Sequence, residues 1–590
     1  MCGIAGFMTA DGGPPPVPVL NALLKALAHR GPDGEGRYTT AGLGLVHARL
    51  AIIDLVTGYQ PLYGPKGSVI VCNGEIYNYI ELKRDFPGAN FQTNSDCELP
   101  LFLYDRDKAT FAKSLRGMYA LALYDPAEAT LFLARDPFGI KPLYYAETPQ
   151  GLVFASEPQA ILKTGLIQPR PRTEAITELL QLQFTTGRET IFAGVKRVLP
   201  GETLVVRRGK VVERHRLTAV PEGEPERIGE AEALERLERA MMNSVEVHQR
   251  SDVPYGMFLS GGIDSSALLA CMARLNDRPV RAYTAGFPGA DVSDEREHAR
   301  EVAKALGADH VEVAVTADDF WSRLPAIVAA IDDPAADYAV VPTYLLAERA
   351  AKDLKVVLCG EGGDELFAGY GRYRSVVRSF WLGGRAMRGK GLMEGLGVLR
   401  DPGPAWRDGI VSVERRLADT AGSRLQKAQA LDCADWLPND LLIKLDRCLM
   451  AHALEGRTPL LDPMVTAASF RLPDELKIHA GLGKHLLRRW LDQKLPIARA
   501  FDRKRGFTVP VGEWMAPRAA ALGPFVAKID GVAAACAPDR VEQLFRTAAR
   551  SQNKHAMTAC WLLLFYGLWH RIHIEGVDHQ GDIMDTLKAA

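Results

Sequence analysis

Hydrophobic and polar positions change rhythm along the chain, and the change separates two halves. In the first third, short runs of apolar, aromatic and β-branched residues are bounded by Gly, Pro, Asn or Asp, at 42–53, 69–72, 119–124, 131–135 and 152–155. Such runs predict strands. Helical stretches near 19–28 and 97–104 interrupt them, so this part is expected to be an α+β domain with antiparallel sheets. The texture breaks at Pro221-Glu222-Gly223-Glu224-Pro225-Glu226, which is charged and poor in apolar residues, as linkers are. Beyond it Leu234, Leu237, Met241 and Val245 share one face of a helix. Strands at 255–259, 280–285, 310–315 and 355–359 then alternate with helical stretches such as 265–274. That alternation predicts a doubly wound parallel sheet. From about residue 430 the pattern is mainly helical, and no internal repeat is visible. The expected division is 1–215, a linker at 216–230, 231–575 and a tail at 576–590.

Composition adds exclusions. The chain has 590 residues, 71 Lys+Arg and 72 Asp+Glu, a net charge of −1. Balanced charge leaves no electrostatic footprint for nucleic acid or an anionic membrane. The apolar run 560–569 is shorter than the roughly 20 residues a membrane span needs. With no basic leader at the start, a cytoplasmic protein is expected. The nine cysteines form no C-x-x-C pair and the histidines no H-E-x-x-H, so neither a disulfide framework nor a zinc site is expected.

Two places carry chemistry. Leu259-Ser260-Gly261-Gly262-Ile263-Asp264-Ser265-Ser266 lies between a predicted strand and a predicted helix. Glycines let the backbone approach an anion, and a helix N-terminus offers free N–H groups. Asp264 beside such a loop would repel phosphate unless a divalent cation bridges them. A second acidic loop, Cys359-Gly360-Glu361-Gly362-Gly363-Asp364-Glu365, follows the strand at 355–359, so Asp264 and Asp364 are candidates to share Mg²⁺. The second place is Cys2. Removal of Met1 would leave its thiol beside a free α-amine able to act as its base, an arrangement suited to acyl transfer from an amide.

The first loop resembles the pyrophosphate loop of the ATP pyrophosphatase superfamily. Cys2-Gly3-Ile4-Ala5-Gly6, His29-Arg30-Gly31-Pro32-Asp33-Gly34, His47-Ala48-Arg49-Leu50-Ala51-Ile52-Ile53-Asp54, Asn73-Gly74-Glu75-Ile76-Tyr77-Asn78 and Ser95-Asp96-Cys97-Glu98 resemble the glutaminase domain of class II, or N-terminal nucleophile, amidotransferases. With the Ser260 loop, Leu460-Leu461-Asp462-Pro463 and Lys504-Arg505-Gly506-Phe507, nearly the whole chain resembles the glutamine-hydrolysing asparagine synthetases. The resemblance implies a four-layer N-terminal sandwich. It implies Cys2 as nucleophile and Asn73 with Gly74 as oxyanion donors. Glutamine would be held by Arg49, Leu50, Ile52, Ile53, Asn73, Gly74, Glu75 and Asp96. ATP would lie against Phe258, Leu259, Ser260, Gly261, Gly262, Asp264, Ser265, Ser266, Ala285, Cys359 and Gly360. Lys484 and Glu361 would act in adenylation, on aspartate, with Mg²⁺ on Asp264 and Asp364. A homodimer is implied too. Acceptor recognition is expected near Ile331-Asp332-Asp333-Pro334-Ala335-Ala336-Asp337, where aspartate specificity is not legible. Three rivals are an amidotransferase acting on a peptide or sugar acid, a β-lactam-forming relative, and a non-catalytic sensor. The glutaminase residues argue against the second; Asp264, Asp364 and Lys484 argue against the third.

Overall fold

The computed structural model describes residues 2–290, 295–378, 381, 384–502, 508–551 and 553–589. The Lys504–Phe507 motif lies outside the described residues.

The N-terminal strands are β1 (Gly3–Thr9), β2 (Gly34–Thr40), β3 (Leu43–Arg49), β4 (Leu62–Tyr63), β5 (Val69–Ile76), β6 (Gly117–Asp125), β7 (Thr130–Arg135), β8 (Tyr144–Thr148), β9 (Gly151–Ala155), β10 (Lys196–Arg197), β11 (Glu202–Arg207) and β12 (Lys210–Arg216). They form two six-stranded antiparallel sheets, ordered β10-β8-β9-β1-β3-β2 and β12-β11-β7-β6-β5-β4. Side chains alternate between the faces of a strand. Ile4, Met8, Leu43 and Leu45 therefore meet Val69, Val71, Ala120, Leu131 and Leu204 between the sheets. The other face of the first sheet is covered by the helix Val17–Leu27, whose Val19, Leu20, Leu23, Leu24 and Leu27 are buried. The other face of the second is covered by the helix Leu99–Asp107. The result is a four-layer α-β-β-α sandwich.

Strand β1 is absent from the sequence reading because Gly3, Ala5 and Gly6 weaken its β signature. The glycine is needed there: a Cβ on Gly6 would fall 2.6 Å from both the Gly44 carbonyl and the Phe154 ring. The expected strand at 42–53 ends early, at Arg49. Leu50–Ile53 leave the ladder, which frees the Leu50 carbonyl for the nucleophile described below.

Residues 217–229 carry no helix or strand, and the helix Glu230–His248 opens the second half. Its strands are β13 (Tyr255–Phe258), β14 (Arg281–Gly286), β15 (Asp309–Ala314), β16 (Val356–Leu358) and β17 (Glu455–Arg457), all parallel, in the order β15-β14-β13-β16-β17. The chain winds outward from β13 in both directions, as in a doubly wound sheet. The crevice at the reversal lies between the loops that follow β13 and β16, where open α/β sheets bind ligands. The mainly helical expectation after residue 430 misses β17, a strand of three residues. The end of the chain is packed: Ile583, Thr586 and Leu587 of the helix Ile583–Lys588 are buried.

Buried ion pairs join the two halves. Arg30 donates to both oxygens of Asp446 at 2.9 and 3.0 Å and to Glu157 at 2.6 Å. Arg197 grips Asp333 at 2.7 and 2.8 Å, and Tyr144 donates to the same carboxylate at 2.8 Å. Arg447 lies 3.8 Å from Glu157, and Arg116 holds Asp462 through two bonds. Burial opposes ionisation of Asp446, yet the Arg30 charge and hydrogen bonds hold its carboxyl below the usual range.

Candidate active sites

The first site lies at one end of the space between the two sheets. Period-2 alternation that places Ile4, Leu45 and Val71 in the inter-sheet core places Cys2, Arg49 and Asn73 at the ends of the same rows. Cys2 N–H donates to Asn73 Oδ1 at 3.1 Å, and its thiol donates to the Leu50 carbonyl at 3.8 Å. Arg30 Nε donates to the Cys2 carbonyl at 3.1 Å. Asn73 Nδ2 is buried with no hydrogen-bond partner, as an oxyanion donor without its anion would be. No side chain fits at Gly74, where a Cβ would lie 2.0 Å from the Met118 carbonyl.

Burial pushes the Cys2 thiol up to about 11. The thiol is therefore protonated at neutral pH and needs a base. The α-amine exposed by removal of Met1, with an ordinary pKa of about 7.7–8.0, sits on the same residue.

Arg49 is buried, with its guanidinium 4.2 Å from the Tyr59 ring centroid and a bond to the Asp54 carbonyl at 2.5 Å. Asp54 ties down this loop by accepting from Thr57 and Asn94 N–H at 2.8 and 2.9 Å. Ile52 is buried and Ile53 half-buried in the same irregular stretch. Asp96 accepts from Ile76 N–H at 2.7 Å, and burial pushes its carboxyl up. The Glu75 side chain turns to the second domain, with Oε2 at 3.4 Å from Arg457. Sequence reasoning gave His47 no role. It is wholly buried with neither ring nitrogen hydrogen-bonded, and burial drives it down to about 3, so it is a neutral filler on the inter-sheet face. Substitution Asn73→Ala is expected to lower kcat for glutamine hydrolysis about 10²–10³-fold, the usual effect of losing one oxyanion donor, in a glutamate-release assay.

The second site is a cleft of about 480 Å³ at the sheet's reversal point. Phe258, Leu259, Ser260, Gly262, Asp264, Ser265, Ala285, Cys359, Gly360, Glu361 and Asp364 line it. Gly261 takes φ +71° at the turn, which favours glycine. Gly262 N–H donates to Ser260 Oγ at 3.2 Å, and the Ser260 and Ser265 hydroxyls meet at 3.1 Å. The loop is thus folded before any anion arrives. Ser266, expected among the phosphate ligands, is instead fully buried behind the loop with its hydroxyl unbonded. The Cys359 thiol turns to the Val357 carbonyl, leaving only its backbone for a nucleotide.

Asp264 and Asp364, from the two loops, converge on Lys484. Its ammonium bonds Asp264 and lies 2.8 Å from Asp364 Oδ1. Burial opposes its charge, but the two carboxylates outweigh burial and raise its pKa. Lys484 holds a left-handed backbone (φ 60°) at the start of the helix His485–Lys494, a conformation a lysine keeps only where its surroundings fix it. Asp264 Oδ1 is buried without a hydrogen-bond partner. That orphan oxygen, with the hard-oxygen character of both carboxylates, fits Mg²⁺. Burial pushes Glu361 up as well. Sequence reasoning missed Lys444, Tyr370 and Trp436, which line the far end. Their spacing carries no motif, since each reaches the cleft only through tertiary packing.

Residues 1–216 match the family model of the glutamine amidotransferase domain, and residues 236–571 match that of asparagine synthase. The chain is thus a glutamine amidotransferase domain fused to a synthetase domain. It is similar to asparagine synthetase [glutamine-hydrolyzing] 1 of Bacillus subtilis, 33% identical over 98% of this chain and 97% of the relative. It is also similar to asparagine synthetase B [glutamine-hydrolyzing] of Escherichia coli, 29% identical over 83% of this chain and 78% of that one. The chain belongs to the asparagine synthase family. Among the described residues no helix is long and apolar enough to cross a membrane.

Proposed function

We propose that the chain converts aspartate to asparagine with ATP, using ammonia released from glutamine. The observation that carries this reading is the convergence of Asp264 and Asp364, from two loops at the sheet's reversal point, on Lys484.

In the first site the Cys2 α-amine takes the thiol proton, and sulfur attacks the glutamine side-chain amide. Asn73 Nδ2 and the Gly74 N–H hold the oxyanion, Arg49 the α-carboxylate, and Asp96 the α-ammonium. The amine returns its proton to the leaving ammonia, and water releases glutamate from the thioester. In the second site the β-carboxylate of aspartate attacks the α-phosphorus of ATP, forming β-aspartyl-AMP and expelling pyrophosphate. Lys484 and the serine loop bear the charge that builds on the phosphates. Mg²⁺ on Asp264 and Asp364 would screen phosphate charge when bound. Ammonia, passed between the domains out of contact with bulk water, attacks the acyl carbon. It releases AMP and one proton, which Glu361, in the lining of the same cleft, would take.

The test is AMP and pyrophosphate release with glutamine, ATP and Mg²⁺ across a panel of carboxylates. Aspartate is expected to stimulate release with one AMP per asparagine; no stimulation by aspartate overturns the reading.

A further inference from the structure

The far end of the second cleft holds more acid than base. Asp337, Glu361 and Lys444 line it, and Lys444 Nζ donates to Asp337 Oδ2 at 3.0 Å. Behind them, near the end of the π-helix Asp432–Leu441, Asp440 is fully buried and neither of its carboxyl oxygens has a hydrogen-bond partner. The charges facing Asp440 are Asp337, Lys444, Arg388 and Arg372. Lys444 already serves Asp337, and both arginines are drawn to Asp432, at 2.8 and 3.5 Å. Burial, and then the Asp337 charge, push the Asp440 carboxyl well above its usual range.

A buried carboxyl without a partner is costly, and such groups are rare in folded chains unless something completes them. Neither oxygen accepts a hydrogen bond from any of these three cations. A π-helix, itself uncommon and concentrated at functional sites, places Asp440 behind the lining, one residue before Leu441, which lines the cleft. One added positive charge would offset the Asp440 carboxyl beside the Lys444–Asp337 pair. We propose that Asp440, together with Asp337, receives the ammonium group of the acceptor, so that the second site selects amino-acid carboxylates over plain carboxylic acids. The inference rests on the reading that this cleft activates an acceptor carboxylate.

The test compares aspartate, succinate and N-acetylaspartate in pyrophosphate release by the full-length enzyme and by Asp440→Asn, Asp337→Asn and Asp440→Glu. Wild type is expected to prefer aspartate over succinate by about 10²-fold or more in kcat/KM, because the analogue leaves a buried polar site unpaired. Asp440→Asn is expected to raise KM for aspartate about 10–100-fold, with KM for ATP and glutamine hydrolysis within about twofold of wild type. Asp440→Glu is expected to recover part of the preference. Retention of the wild-type preference in Asp440→Asn, or equal use of succinate by wild type, overturns the proposal. If Asp440→Asn loses glutamine hydrolysis through misfolding, Asp337→Asn, at a partly exposed position in the cleft wall, decides by the same readout. If wild type ignores aspartate but takes another amino acid and discriminates against its deaminated analogue, the asparagine assignment falls while the ammonium site stands.

Discussion

Replacement of Cys2 by alanine is expected to remove glutamine-dependent synthesis, by about 10⁴-fold or more, and to leave ammonia-dependent synthesis within about twofold of wild type. The asymmetry follows from geometry. Cys2 sits immediately before the first strand of the sandwich, bonded to Asn73 and Leu50. Alanine keeps the backbone bonds to Asn73 and Arg30 and leaves a small void. The nucleotide cleft, on the other sheet, contains none of these atoms. Chain extension at the N-terminus should reproduce the defect, because it turns the amine into an amide while the thiol, held up near 11, stays protonated. The measurements are asparagine formed from glutamine and from ammonium chloride at equal ATP. Parallel loss of both activities would mean the sites are not separable.

Lys484→Met is expected to have the converse effect, lowering AMP and pyrophosphate formation about 10³-fold while glutamine hydrolysis persists. Two effects add. The cation that meets phosphate charge is gone, and Asp264 and Asp364 are left facing each other and the incoming nucleotide. Breaking a buried pair by removing one partner typically costs about 3–5 kcal/mol, but here both carboxylates retain some solvent contact, so the fold should survive with a lower Tm. Single-turnover adenylation and thermal melting separate the two. An unchanged adenylation rate would remove Lys484 from the reaction.

Much of this was legible from residue order alone, for identifiable reasons. The Ser260 loop announces itself because tight anion approach demands glycines and hydroxyls in a short contiguous run. Cys2 does so because the chemistry requires a chain end. The doubly wound sheet follows from alternation of buried strands and helices. Lys444, Asp440 and the Lys484–carboxylate contacts are different. Each depends on residues 80 or more positions apart meeting in space, and local pattern carries no trace of that. Ser266 continues the loop in sequence, but it lies within the helix begun at Ile263 and is buried, outside the lining of the cleft. The β17 strand was hidden for a related reason: three residues, among them the charged Glu455 and Arg457, form a strand only because both charges are neutralised against each other and Glu75.

The arginines that cross between the halves bear on how the molecule comes apart. Arg30, Arg197 and Arg457 are essentially without solvent contact, and each has a carboxylate partner in the other half of the chain. Pulling the halves apart would strand charges of both signs in apolar surroundings unless the surfaces around them also melted. Architecture counts two domains here, but these buried pairs couple them: heat or denaturant is expected to give a single transition, and two resolved transitions would mean that the halves unfold independently.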